Sequence, residues 1–200
     1  MKGKPGPLDP KPEEVLWGGG PCDPRSLFGR IAPLEVEIGS GKARFLIEAA
    51  QGNPAHDFLG LERSLSYYRV CRDRVRRSGL PNIRVLRADG RLFAEGLPGA
   101  SVYAFHVYFS DPWPKKRQRK RRFLDAVTLE LLASRLEPGG LLRIATDHAG
   151  YGATVASLSE TVSALERLEW SRYPEPPFTH YELKYRAEGR PIWRLLLRRR

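Results

Sequence analysis

Acidic residues stand where short apolar runs give way to turns, and each is of a type that binds a polar ligand. The first is Glu37, in Glu37-Ile38-Gly39-Ser40-Gly41-Lys42-Ala43. A Gly-x-Gly turn after a strand lets a ligand approach backbone that side chains would otherwise shield. Arg44 occupies the position of the third glycine of the dinucleotide pattern, which disfavours a pyrophosphate cofactor. The second acid is Glu62, closing Phe58-Leu59-Gly60-Leu61-Glu62, a spacing from which a carboxylate accepts hydrogen bonds from ribose hydroxyls. The third is Asp89 in Ala88-Asp89-Gly90, suited to the amino group of adenine. Each acid could equally cap a helix, and the glycines could equally form a plain tight turn. Capping accounts for each acid singly but not for the series. Gly-x-Gly, an acid and a further acid at three successive strand ends suit a nucleoside cofactor without a pyrophosphate. S-adenosylmethionine is the commonest such ligand, and Glu37 would help hold its cationic sulfonium and ammonium.

The fourth strand end is the most informative. It reads Val107-Tyr108-Phe109-Ser110-Asp111-Pro112-Trp113-Pro114-Lys115-Lys116-Arg117-Gln118-Arg119-Lys120-Arg121-Arg122. Pro112 and Pro114 restrict the loop to few shapes. Trp113 could stack on a ligand or plug the core edge. A charge run is usually a solvated face, but this one has no interleaved acids. Beside a cofactor site it reads as a set of phosphate contacts from Lys116, Arg117, Arg119, Lys120, Arg121 and Arg122. A fifth strand end offers Asp147, either to grip a base or to cap the helix before Tyr151.

The elements that must hold these residues alternate between strand and helix. Strands are predicted over 34–38, 58–61, 83–87, 102–109, 141–145 and 192–197, with helices over 44–50 and 65–77 and a short one around Leu92. Phe123, Val127 and Leu131 mark the stripe of a further helix, which Pro138-Gly139-Gly140 ends. Tyr151, Val155, Leu158, Val162 and Leu165 repeat at helical spacing. Such alternation implies an α/β fold, an open and mostly parallel sheet wound on both sides. Residues 1–30, rich in Pro and Gly, read as a flexible arm, leaving 31–200 as one domain.

The bulk properties agree with a nucleic-acid partner. The 34 basic residues exceed the 23 acidic ones, for a net charge of +11. Arg-rich genome composition is the bland alternative. No apolar run is long enough for a membrane span, and residues 1–5 do not read as an export signal, so a cytoplasmic location is expected. Cys22 and Cys71 form no C-x-x-C pair, and His56, His106, His148 and His180 show no ligand spacing, so no metal is expected.

From about Leu34 to Leu197 the chain resembles the bacterial tRNA (guanine-N7-)-methyltransferases. The marks are Glu37-Ile38-Gly39-Ser40-Gly41, Gly60-Leu61-Glu62, Ser110-Asp111-Pro112-Trp113-Pro114-Lys115, Ala145-Thr146-Asp147 and Thr179-His180-Tyr181-Glu182-Leu183-Lys184. The basic run after Asp-Pro-Trp, joined to the late Thr-x-Tyr-Glu, is the specific combination. The resemblance implies a Rossmann-like class I methyltransferase with a seven-stranded, mostly parallel sheet and an antiparallel last strand. It implies transfer from S-adenosylmethionine to the variable-loop guanosine of tRNA, conventionally position 46. It puts Glu37, Gly39, Gly41, Glu62, Asp89, Gly90 and Asp111 on the cofactor, and Lys115, Asp147, Thr179, His180, Tyr181 and Glu182 on the substrate. Ala43 stands where the family often has a third glycine. Family members occur both as monomers and as homodimers.

Guanine N7 carries an in-plane lone pair and no proton, so its methylation needs no general base. Alignment of the reacting atoms supplies most of the rate, and a carboxylate can stabilise the positive charge that moves to the purine. Asp111 is the candidate for that group. Three other readings compete: a methyltransferase for another base, a non-catalytic RNA-binding module on the same fold, and a nicotinamide dehydrogenase. The incomplete glycine fingerprint disfavours the last.

Overall fold

The computed structural model describes residues 16–200. Its strands are β1 (Leu34–Ile38), β2 (Asp57–Leu61), β3 (Ile83–Leu86), β4 (Val102–Tyr108), β5 (Leu136–Thr146), β6 (Leu165–Leu168) and β7 (Trp193–Arg199). They form one sheet in the order β3-β2-β1-β4-β5-β7-β6. β1 lies between β2 and β4, β3 flanks β2, and β5 flanks β4, all in parallel. β7 runs antiparallel to both β5 and β6. The chain winds outward from β1 through β2 to β3, then returns to start β4 on the other side. That reversal opens a crevice above the C-terminal ends of β1 and β4, where ligands of such sheets bind.

The helices are α1 (Arg25–Phe28), α2 (Arg44–Gly52), α3 (Leu65–Ser78), α4 (Gly90–Gly96), α5 (Ala126–Arg135), α6 (Ala149–Glu160) and α7 (His180–Ala187). β1 and β4 are buried almost throughout because both sheet faces are covered. One core joins Val36, Leu59, Phe105 and Val107 to Phe93, Leu129, Leu132, Tyr151 and Val155. A second joins Phe58 and Ile83 to Leu46 and Ala50 of α2 and to Cys71 and Val75 of α3. Among the described residues no helix is long and apolar enough to cross a membrane.

The helical stripe predicted through Phe123, Val127 and Leu131 is misplaced. Val127 is 64% exposed, and α5 buries Thr128, Leu129, Leu132 and Ala133 instead. Asp125 caps the helix by accepting a hydrogen bond from the Thr128 N–H at 2.8 Å, so Phe123 lies outside it, although Phe123 and Leu131 both pack against the main core. The helical repeat through Leu165 also overruns, since α6 stops at Glu160 and Leu165 opens β6. β5 begins before the predicted Leu141. Its Pro138-Gly139-Gly140 forms a bulge, with Val102 opposite Leu136 and Ala104 opposite Leu141.

The arm expected over residues 1–30 is only partly within the described residues, and 16–30 lies against the domain. Trp17 makes a parallel bridge to Ala88, donates its N–H to the Arg87 carbonyl at 2.8 Å and packs edge-on to Phe93. The Cys22 N–H donates to the Gly96 carbonyl at 2.9 Å, and Leu27 and Phe28 join the main core. Four apolar side chains outweigh the Pro and Gly content that suggests an arm.

Candidate active site

The turn after β1 is built from left-handed residues: Gly39 (φ 84), Gly41 (φ 52) and Ala43 (φ 58). Gly39 and Ser40 donate their N–H groups to the Leu61 carbonyl at 2.8 and 3.0 Å, fastening the turn to the end of β2. Nothing stands within 4 Å of where a Gly39 side chain would begin, so its backbone faces open space. Ala43 accepts the strained conformation, which costs a non-glycine residue about 1–2 kcal/mol, because its methyl is fully buried in the second core.

Two clefts meet over this turn. The larger, of about 790 Å³, is walled by Gly39, Glu62, Asp89, Gly90, Asp111, Trp113, Lys120, Arg121 and Arg122. The smaller, of about 410 Å³, is walled by Glu37, Gly41, Lys42, Arg44, Tyr67, Thr179 and His180. Gly39, Tyr108 and Tyr181 belong to both. Residues drawn from five separate stretches of sequence thus converge on one crevice.

The acids differ in what already holds them. Glu62 accepts from the Gly41 N–H at 3.0 Å through one oxygen and from the Ser64 N–H at 2.8 Å through the other. Asp89 caps α4, accepting from Arg91 and Leu92 N–H groups at 3.0 and 3.4 Å through Oδ1, while Oδ2 lies 3.5 Å from Arg63. The capping alternative for Asp89 is therefore observed. Glu37 is only 4% exposed, and its Oε2 has no partner among the described residues. Burial, with the nearby Glu62 charge, pushes its carboxyl up to about 8. Asp111 is exposed at the mouth of the larger cleft. The loop that carries it is bracketed by two non-glycine residues at positive φ, Phe109 (54°) and Trp113 (39°). Such strain, about 1–3 kcal/mol per residue, clusters where a loop must aim a side chain.

The basic run forms a 3-10 helix over Lys116–Arg121 with no buried residue. Lys115 precedes it as an exposed cap position. Lys120 and Arg121 reach the cleft wall, whereas Lys116, Arg117 and Arg119 are exposed outside it. Arg121 stacks over Trp113 at 5.1 Å. Arg122 braces its own loop: its Nε donates to the Pro112 carbonyl at 2.8 Å, and its guanidinium covers Tyr151 at 4.9 Å.

The late motif splits. Thr179 caps α7 by accepting from the Glu182 N–H at 3.0 Å, and Tyr181 stands between the clefts beside Phe109 and Tyr185. His180 Nε2 accepts from Arg74 at 2.7 Å, and burial together with Arg74, Arg44 and Lys42 lowers its pKa. Glu182 walls neither cleft. It is 5% exposed and ion-paired with Arg194 and with Arg186, tying α7 to β7. Asp147 also lies outside both clefts, 3.0 Å from Arg190. Nor does it cap α6: His148 does, through Nδ1 and the Tyr151 N–H at 3.0 Å.

Two features are missed by sequence reasoning. Tyr67, in the first turn of α3, walls the smaller cleft, and no motif in the sequence marks it. A partly buried chain links His56 to Glu35 at 2.7 Å, Glu35 to His106 at 2.7 Å, and His106 to the Tyr108 hydroxyl at 2.9 Å. Burial alone would raise the Glu35 carboxyl, but the two histidines pull it below the usual range. The chain orients Tyr108, which both clefts share, and no linear motif announces it. Among the described residues no group of three or more His, Cys, Asp or Glu is arranged to hold a metal.

The profile of a family described as "Putative methyltransferase" matches residues 31–195. The tRNA (guanine-N(7)-)-methyltransferase of Halorhodospira halophila is 36% identical over 187 residues, covering 90% of this chain and 81% of its own. That of Thiobacillus denitrificans is 35% identical, covering 88% and 79%. Among solved structures, a SAM-dependent methyltransferase from Aquifex aeolicus superposes with a TM-score of 0.59 at 12% identity, covering 89% of this chain and 90% of that one. That likeness concerns the fold alone. The family profile spans the strand ends that carry Glu37, Glu62, Asp89, Asp111 and Asp147, the curated relatives cover most of the chain, and this chain belongs to the tRNA (guanine-N(7)-)-methyltransferase family.

Proposed function

We propose that this chain transfers the methyl group of S-adenosylmethionine to N7 of the variable-loop guanosine of tRNA, conventionally position 46. The observation that carries this reading is the pairing of an adenosine-sized cradle with an exposed Asp111 in one crevice edged by cations. The residues present fit the cofactor. Gly39 leaves the backbone bare, Gly90 packs so tightly that a Cβ would lie 2.5 Å from Ile38 Cγ2, and Glu37 keeps an unpartnered buried oxygen among the described residues. Bound there, S-adenosylmethionine supplies an electrophilic methyl group.

Glu62 retains lone pairs for two ribose hydroxyls after serving Gly41 and Ser64. Asp89 Oδ2 is left to accept from the adenine amino group. Glu37 faces the amino-acid end of the ligand, whose ammonium would draw the carboxyl into its charged form. No residue needs to remove a proton, since N7 has none. Asp111 accepts from the N1 and amino protons of guanine and stabilises the positive charge arriving on the ring. Tyr181 offers a face for the base, in the manner of enzymes that draw a nucleotide out of its stack. Lys115, Lys116, Arg117, Arg119, Lys120 and Arg121 hold the flanking phosphates. Glu182 and Asp147 act at one remove, by fixing α7 and the Arg190 loop, and Arg122 fixes the Asp111 loop.

The test is transfer of a labelled methyl group from S-adenosylmethionine to unmodified tRNA, followed by digestion and identification of the nucleoside. The expected product is 7-methylguanosine, lost when the variable-loop guanosine is replaced. A different methylated nucleoside would overturn the substrate, and tRNA binding without transfer would favour an RNA-binding module.

A further inference from the structure

The two buried side-chain polar atoms without a partner among the described residues, Glu37 Oε2 and Arg44 Nε, both belong to walls of the smaller cleft. The floor is acidic, but the rim is cationic. Lys42 is exposed in the turn before α2, and Arg74 reaches over from α3 to His180 at 2.7 Å. Lys184 sits one helical turn beyond His180 on α7. The carboxylates facing this rim are Glu48, paired to Arg44 at 2.7 Å, and Glu188, 3.8 Å from Lys184. Neither Lys42 nor Arg74 makes an ion pair among the described residues. An arginine donating to a neutral imidazole, rather than to a carboxylate, marks a place where positive charge is gathered and left uncompensated.

Lys42 walls the smaller cleft and Lys120 and Arg121 wall the larger one, and the two clefts join at Gly39, Tyr108 and Tyr181. A nucleotide drawn into a pocket leaves one phosphate on each side of its ribose, and a second basic bank gives the backbone a further point of attachment. We infer that Lys42 and Arg74 form a second phosphodiester-binding site, which grips the RNA backbone across the crevice from Lys116–Arg121. This rests on the proposed RNA substrate but assigns a binding site beyond it. His180 holds Arg74 in position by accepting its N–H, and Lys184 extends the bank along α7.

The test is equilibrium binding of an unmodified tRNA transcript across a salt series. It compares wild type with a Lys42→Gln/Arg74→Gln double variant and with a Lys116→Gln/Arg117→Gln double variant. Gln at position 74 keeps a donor for His180. Each protein is also titrated with S-adenosylmethionine alone. The expected result is that the Lys42/Arg74 variant lowers the slope of log K against log salt by about 0.7 to 1.8, one or two phosphate contacts. Its affinity for S-adenosylmethionine falls far less than its affinity for tRNA, and combining both double variants sums their slope losses. A steep wild-type slope that the Lys42/Arg74 variant leaves intact would overturn this site and spare the RNA reading. Equal loss of cofactor binding would reassign the residues to the scaffold and overturn the site. A wild type that does not bind tRNA would remove the RNA reading and this site together.

Discussion

Glu37→Gln should make the cofactor-free protein more stable and a poorer binder at the same time. The Glu37 carboxyl is 4% exposed, lacks a partner for Oε2 among the described residues, and is pushed from 4.5 up to about 8 by burial and the charge of Glu62. The folded state therefore binds this proton more tightly than the unfolded chain does. Between those two values the unfolded chain is ionised and the folded one is not, so stability falls as pH rises and levels off above the folded pKa. At 1.36 kcal/mol per unit, the shift from 4.5 to about 8 amounts to about 4–5 kcal/mol, with about 2 kcal/mol lost from pH 6 to pH 8. Glutamine cannot ionise, so this loss should vanish from the variant. Urea unfolding of both proteins at pH 6, 7 and 8, without cofactor, measures the difference of slopes and cancels the titrating groups that Glu37 does not touch. The same variant should bind S-adenosylmethionine about ten- to a hundred-fold more weakly, the worth of a charge-assisted contact. If both proteins lose stability equally with pH, Glu37 is not a buried acid held neutral. Unchanged cofactor affinity would remove it from the ammonium site.

Three further outcomes are expected. Asp111→Asn should lower turnover about 10²- to 10³-fold, while titrations show tRNA and S-adenosylmethionine binding largely intact; parallel loss of binding would make Asp111 a docking residue. Gly90→Ala should destabilise the fold by about 1–3 kcal/mol, read by denaturant unfolding, because its Cβ would meet Ile38 Cγ2 at 2.5 Å; an unchanged midpoint would mean that β1 yields freely. Arg194→Leu should destabilise by about 3 kcal/mol in thermal unfolding by stripping buried Glu182 of its nearest partner, and Arg194→Leu/Glu182→Leu should recover much of it; no recovery would show that packing rather than charge is lost.

The elements legible in the sequence are those whose cause is local. β1 and β2 announce themselves because both faces are buried. Phe123, Val127 and Leu131 mislead in part, because the Asp125 cap starts the helix after Phe123 and leaves Val127 exposed, while Phe123 and Leu131 still meet the core. Residues 16–30 mislead for the opposite reason, since composition hides the four apolar side chains that dock. At the site, Gly39, Glu62, Asp89 and Asp111 are readable because each ends a strand, and the topology brings strand ends together. Glu182 and Asp147 carry the same chemistry but meet arginines distant in sequence, Arg194 and Arg190, which no spacing rule pairs with them. The His56–Glu35–His106–Tyr108 chain is invisible for that reason also.

At Glu62 and Asp89, holding backbone N–H groups does not exclude the ligand contacts proposed for them. A carboxylate has about four lone-pair sites, and the backbone N–H groups of Gly41 and Ser64 use one on each oxygen of Glu62. Those bonds hold the group at a fixed angle over the turn, so its remaining lone pairs are oriented before any ribose arrives. Asp89 is held likewise by the start of α4 through Oδ1, with Oδ2 turned to the cleft side near Arg63. Rotamer freedom lost in folding is then not lost again on binding. Asp111 has no such tether among the described residues and depends instead on the strained φ of Phe109 and Trp113 and on the Arg122 bond to Pro112. In the proposed roles, a group that must follow charge as it moves onto the base gains from a stiff loop and a free carboxylate, whereas groups that only hold a ribose or an adenine gain from being pinned.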